Sequence, residues 1–264
     1  MAKSGLMETF LPGLKGAVKR LVPPSVYRPL RVWWKRRQPL RDEHRRRLTP
    51  TGRNFGFDRG LCIDRYYIEA FLRRYHTDIQ GRVLEIQDDQ YTRQFGGGRV
   101  SRSDVLHAES GNRRATIVGD LSTGKNIPVE AFDCLIITQT FHLIYDVKSA
   151  IANCYAALKP GGVLLATFPG ICQIGRYDMD RWGDYWRFTT KSVERLCKEN
   201  FPTEDLCLQG HGNVLVAISY LDGLAVEDLT PDELDYHDPD YDIVITARLV
   251  KPPAPHEEKY KRNL

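Results

Sequence analysis

From residue 53 onward, short apolar runs alternate with stretches whose apolar positions recur every three or four residues. The runs RVLEI (82–86), RVSRSDV (99–105), ATIVGD (115–120), FDCLIIT (132–138) and GVLLATF (162–168) are bounded by turn formers, which predicts buried strands. In DRYYIEAFLRRYH, Asp64 is a suitable N-cap, and Tyr67, Ile68, Phe71, Leu72 and Tyr75 share one face, predicting a helix ahead of the first strand. In DVKSAIANCYAALKPGG, residues Val147, Ala150, Ile151, Cys154 and Leu158 keep helical spacing until Lys-Pro-Gly-Gly stops the helix. TTKSVERLCKEN reads as one more short helix, and NVLVAISYL (213–221) and YDIVITARLV (241–250) as two late strands. Strand, helix and strand in this rhythm imply right-handed parallel crossovers.

The first 52 residues depart from that pattern. Residues 1–50 hold 13 basic against 3 acidic residues, a net +10, whereas the rest of the chain holds 25 basic and 31 acidic, a net −6. Trp33 and Trp34 lie among these arginines, and prolines interrupt any long helix. The organisation read here is a basic extension over 1–52, one domain over 53–252 and a tail over 253–264. Basic groups with interfacial tryptophans suit an anionic membrane surface or a partner protein; an arm packed on the body is the alternative, and nucleic acid is not expected to be a partner. With 264 residues, 42% of them hydrophobic and 27% charged, the chain can bury a sizeable α/β core, which excludes disorder throughout. The six cysteines form no C-x-x-C pair, so neither a zinc site nor a disulfide framework is indicated. No metal is expected. The absence of a signal-like or membrane-spanning stretch points to the cytoplasm, with peripheral attachment at the inner membrane surface through the basic extension.

The ordered set GRVLEI, ATIVGDL, FDCLIITQTFHLIYD and ALKPGGVLLATFP resembles the class I S-adenosylmethionine-dependent methyltransferase superfamily. FGFDRGLCIDRYYIEAFL and RYDMDRWGDYWRFT are similar to a bacterial group of methyltransferase-domain proteins associated with glycan and glycosyltransferase genes. The resemblance covers residues 54–252. It implies a doubly wound, mostly parallel seven-stranded Rossmann-like sheet with the last strand antiparallel and S-adenosylmethionine at the carboxyl edge where strand order reverses.

Matching positions imply roles. Glu85, ending the first strand, would help hold the methionine end; Asp104, ending the second, would take the ribose hydroxyls; Asp120 would accept from the adenine amino group, with Leu121 supplying backbone. Gln139 and Thr140 would lie beside the methionine moiety. Where the superfamily has a Gly-x-Gly run, this chain has Gln87, Asp88, Asp89, Gln90 and Tyr91, and Gly96–Gly98 come too late to replace it. Two readings follow: Asp88 or Asp89 caps a short helix and faces the cofactor ammonium, or side chains fill the pocket. A dinucleotide is disfavoured, because its pyrophosphate needs the missing glycine turn and would meet two carboxylates.

Methyl transfer from a sulfonium needs alignment and, for a hydroxyl acceptor, a base. His142 is the candidate base, with a core-lining role as the alternative, and Asp178 is a second candidate catalytic group. In GRYDMDRWGDYWRF (175–188), Tyr177, Trp182, Tyr185 and Trp186 offer apolar faces, while Arg181 and Asp184 offer directed hydrogen bonds, a combination that suits a sugar. The function expected is O-methylation of a sugar, glycan or small-molecule hydroxyl. A non-catalytic methyltransferase-like partner in a glycan-assembly complex, in contact with a glycosyltransferase, is the other reading.

Overall fold

The computed structural model describes Pro23 and residues 47–254. Most of the basic extension, including Trp33 and Trp34, and most of the C-terminal tail lie outside these residues. Seven strands form one sheet: β1 (Gly81–Ile86), β2 (Val100–His107), β3 (Ile117–Val118), β4 (Phe132–Thr138), β5 (Leu158–Pro169), β6 (Leu206–His211) and β7 (Val244–Val250), in the order β3-β2-β1-β4-β5-β7-β6. Strands β1 to β5 are parallel, and β7 runs antiparallel to both β5 and β6. The order reverses between β1 and β4, where a doubly wound sheet leaves a crevice at its carboxyl edge.

Side-chain alternation divides the core. On one face Leu84, Leu135 and Ile137 pack against α2 (Val147–Ala157) and α4 (Thr190–Lys198); on the other Val83, Cys134 and Ile136 meet α1 (Ile63–Arg74) and α5 (Val214–Leu221). The predicted apolar face of α1 is present, with Tyr67, Ile68, Phe71 and Leu72 buried. Asp64 does not cap it: Cys62 is the N-cap, and Asp64 lies inside the helix with only 6% of its surface exposed. Asp146 caps α2 by accepting a hydrogen bond from the Ser149 amide at 3.1 Å.

Residues 213–221 form a helix, not the expected strand. Val216, Ala217 and Tyr220 face the core while Val214, Leu215, Ile218 and Leu221 are exposed, so the apolar outer face conceals the helical period. Asn213 starts the helix by accepting from the Val216 amide at 3.0 Å. The sixth strand is instead LCLQGH (206–211), an edge strand whose exposed alternate positions weaken its apolar signal.

The FGFDRG segment straps the carboxyl edge. Arg59 pairs with Asp228 through two hydrogen bonds of 2.7 and 2.8 Å, and both side chains are almost fully buried. Gly56 has φ +83°, and a Cβ there would lie 2.1 Å from the Leu224 carbonyl oxygen, so only glycine lets the strap approach this closely. The strap brings Phe55, Phe57 and Leu61 to the rim of the crevice.

Candidate active site

A cavity of about 950 Å³ opens at the carboxyl ends of β1, β2 and β4, within the size range of small-molecule sites. Glu85, Asp88, Asp120, Leu121, Gln139, Thr140, His142, Asp178, Trp182, Asp184 and Tyr185 all line it. The turn after β1 is built without glycine. Gln87 adopts φ +71°, the left-handed conformation that glycine favours, and Asn112 steadies it by donating from Nδ2 to the Gln87 carbonyl at 2.7 Å. Gln139, after β4, also has positive φ (+45°), and its amide donates to the carbonyl of Thr167 on β5. The backbone thus turns sharply at both edges of the crevice despite the side chains, and the cavity is open rather than plugged.

Glu85 supports the turn. Its two oxygens accept the amides of Tyr91 and Thr92 at 3.1 and 2.8 Å, satisfying donors at the start of the short helical turn that follows. Burial pushes its carboxyl up to about 7, against the pull of those hydrogen bonds. Asp120 likewise closes a turn: burial works to raise it, but hydrogen bonds from Ser122 and Thr123 prevail and hold it below the ordinary carboxylate range.

Two expected cofactor contacts are placed differently. Strand β2 extends to His107, so Asp104 is not its terminal residue. Asp104 is 1% exposed, outside the cavity wall, and bonded to Arg82, Arg102 and Thr116. These donors outweigh burial and lower its pKa, and His107 and Ala108 take the cavity position at the end of the strand. Asp89 accepts from Arg93 Nε at 2.7 Å and is not part of the wall. Of the two aspartates after β1, only Asp88 faces the cavity.

Residues 175–188, which include the short helix α3 (Arg176–Met179), cross the opening as a lid. A Gly175 amide and both terminal nitrogens of Arg187 donate to Asp184, and Arg187 Nη2 also donates to the Gln173 carbonyl at 2.8 Å, stapling the lid to the segment after β5. The Tyr185 and Trp186 amides donate to the His142 carbonyl at 2.8 and 3.3 Å. Trp182 reaches the far side, where its ring meets His107 edge-on with centroids 6.1 Å apart. Tyr177, Arg181 and Trp186 are not in the cavity wall. Arg181 stacks on the exposed Tyr177 ring, and Trp186 Nε1 donates to the Ile144 and Tyr145 carbonyls, so these three serve the lid's own structure.

Three buried polar atoms in this wall, Asp64 Oδ1, His142 Nδ1 and Trp182 Nε1, have no hydrogen-bond partner. Burial pushes His142 down to about 4, opposed by Asp184 and reinforced by Arg187, so the imidazole is neutral at pH 7. Burial, followed by the proximity of Asp184, raises Asp178. The wall also contains Asp64, Tyr91, Cys172 and Tyr220, to which the sequence motifs assign no site role.

Residues 69–166, from within α1 to within β5, match the family described as "Methyltransferase domain". The match spans less than half of the chain and supports a methyltransferase fold on a Rossmann-like sheet. Similar solved structures include an S-adenosylmethionine-dependent methyltransferase from Archaeoglobus fulgidus (12% identity, TM-score 0.47, covering 71% of this chain and 94% of that one). Another is the N-methyltransferase NodS from Bradyrhizobium japonicum with S-adenosyl-L-homocysteine (15% identity, TM-score 0.45, covering 73% and 89%). A third, phosphoethanolamine N-methyltransferase 2 from Haemonchus contortus with S-adenosyl-L-methionine, is 16% identical with TM-score 0.48, covering 78% of this chain and 54% of that one. A search of curated proteins returned no match. Among the described residues, no helix is long and apolar enough to cross a membrane.

The wall suits the cofactor's charge. S-adenosylmethionine brings a sulfonium and an ammonium, and the wall presents the carboxylic side chains of Asp64, Glu85 and Asp88 near the β1 turn, with a buried oxygen of Asp64 lacking a hydrogen-bond donor.

Proposed function

We propose that this protein is an S-adenosylmethionine-dependent methyltransferase that methylates a hydroxyl of a sugar or glycan, with the cofactor along the β1–β4 edge and the acceptor beneath the lid. Glu85, Asp88, Gln139 and Thr140 would border the methionine end, and Asp120 with Leu121 the adenine. When bound, S-adenosylmethionine supplies an electrophilic methyl on a positively charged sulfur. The protein's own task is to align the acceptor oxygen and remove its proton.

The observation that carries this reading is the unpartnered Nδ1 of His142, held neutral in the wall by burial. A neutral imidazole accepts a proton, and Asp184 favours the imidazolium that results. The lid fixes the His142 backbone through two amides, which locates the base without using its ring. Trp182 and Tyr185 supply aromatic surface for a sugar's C–H face, and Trp182 Nε1 is a donor without a protein acceptor. Asp178, raised by burial, would serve as a hydrogen-bonding partner for acceptor hydroxyls. The basic extension would hold the domain at an anionic inner membrane surface or against a glycosyltransferase.

Incubating the full chain with methyl-labelled S-adenosylmethionine and panels of neutral glycans, amines and carboxylic acids tests the acceptor class. The label is expected on a glycan oxygen. Labelling of amines or carboxylates alone would overturn the reading.

A further inference from the structure

We infer that Asp64, on the helix preceding β1, receives the α-ammonium group of S-adenosylmethionine. The inference deepens the cofactor placement proposed above and rests on it. A turn without a Gly-x-Gly run must recruit acceptors from elsewhere, and the carboxylates nearest that turn are already engaged. Glu85 accepts two backbone amides, through one oxygen each. Asp88 accepts the Gln90 amide at 3.0 Å, and its other oxygen lies 3.9 Å from Arg114 Nη1.

Asp64 is different. It is 94% buried, lines the cavity, and its Oδ1 has no hydrogen-bond partner. The Arg65 guanidinium approaches this oxygen only to 3.9 Å at Nε, while its Nη1 donates to the Tyr91 hydroxyl at 3.0 Å. That bond ties the first turn of α1 to the loop after β1. Leaving a carboxylate oxygen buried without a donor is unfavourable, so its presence in a cavity wall calls for a donor from a ligand. An ammonium offers three N–H groups and the opposite charge, and beside the β1 turn it would also lie near Asp88. The ammonium contact is thus moved from the glycine loop to the preceding helix. This lets Gln87–Tyr91 carry side chains without loss of the charge complement.

The test titrates full-length wild type, Asp64→Asn and Asp64→Ser with S-adenosylhomocysteine and with 5′-methylthioadenosine, which keeps the adenosine and thioether but has no amino-acid tail. The expected result is that both variants bind S-adenosylhomocysteine about 10- to 100-fold more weakly and bind methylthioadenosine as wild type does. Unchanged S-adenosylhomocysteine affinity in a folded variant would overturn the assignment. Equal weakening for both ligands would also overturn it, by making Asp64 a structural support of the cavity. If neither variant folds, the wild-type affinity ratio decides: S-adenosylhomocysteine binding no tighter than methylthioadenosine excludes an ammonium contact. Failure of the wild type to bind either ligand would sink the cofactor placement itself, a separate outcome.

Discussion

The two ends of the cavity are built on opposite terms. Around β1 and β3, Glu85 and Asp120 spend their oxygens on protein donors, so these acids act first as braces for turns. Under the lid, His142 Nδ1 and Trp182 Nε1 have no protein partner. Apart from Asp64 Oδ1, the braced end is formed in advance, and the lid end offers hydrogen-bonding groups for a ligand to complete. Function is therefore more sensitive to substitutions at the unpartnered groups, and stability to those at the Glu85 and Asp120 braces.

The largest expected effect is at His142. Replacing it by Ala removes the proposed base and leaves the carbonyl that receives the Tyr185 and Trp186 amides. Methyl transfer to a hydroxyl acceptor should fall about 100- to 10,000-fold, with S-adenosylhomocysteine affinity unchanged in titration calorimetry. Equal loss of both would erase the contrast between the two ends.

Next is Glu85. Its carboxyl is raised from an ordinary 4.5 to about 7, so the unfolded chain gives up this proton at lower pH than the folded one. The stabilisation is complete below pH 4.5 and lost as pH rises through about 7. Against Glu85→Gln, wild-type stability should decline by about 3 kcal/mol across that window, read from urea midpoints at each pH. A flat difference would mean that the Tyr91 and Thr92 amides fully offset the effect of burial on Glu85. The smallest expected effect is at Gln87: the Gly variant relieves the left-handed strain and should raise stability by about 1 kcal/mol. A loss would show that the glutamine side chain itself holds the turn.

How much of this was readable from residues alone varied with the local physics. Strand β4 matches FDCLIIT residue for residue, and α1, α2 and α4 follow their apolar spacing, because each buries one clear face. Helix α5 was hidden by apolar residues on its solvent side. Asp104 is not the end of β2, because the strand runs two residues past Val105; it is then mid-strand, where Arg82, Arg102 and Thr116 donate hydrogen bonds to it. The lid was recognisable from its aromatic and charged composition, but which rings face inward depends on the Asp184–Arg187 staple, a tertiary feature. Asp64 read as a helix cap, and only its packing beside the β1 turn shows an oxygen without a donor.

The central claim is that a turn built from side chains still forms a cofactor site, and a crystal structure with S-adenosylhomocysteine tests it most directly. The account predicts ligand along the carboxyl edge of β1 and β4, adenine beside Asp120 and Leu121, and Gln87 still at positive φ. An empty cavity at saturating ligand, with residues 87–91 folded into it, would contradict the account.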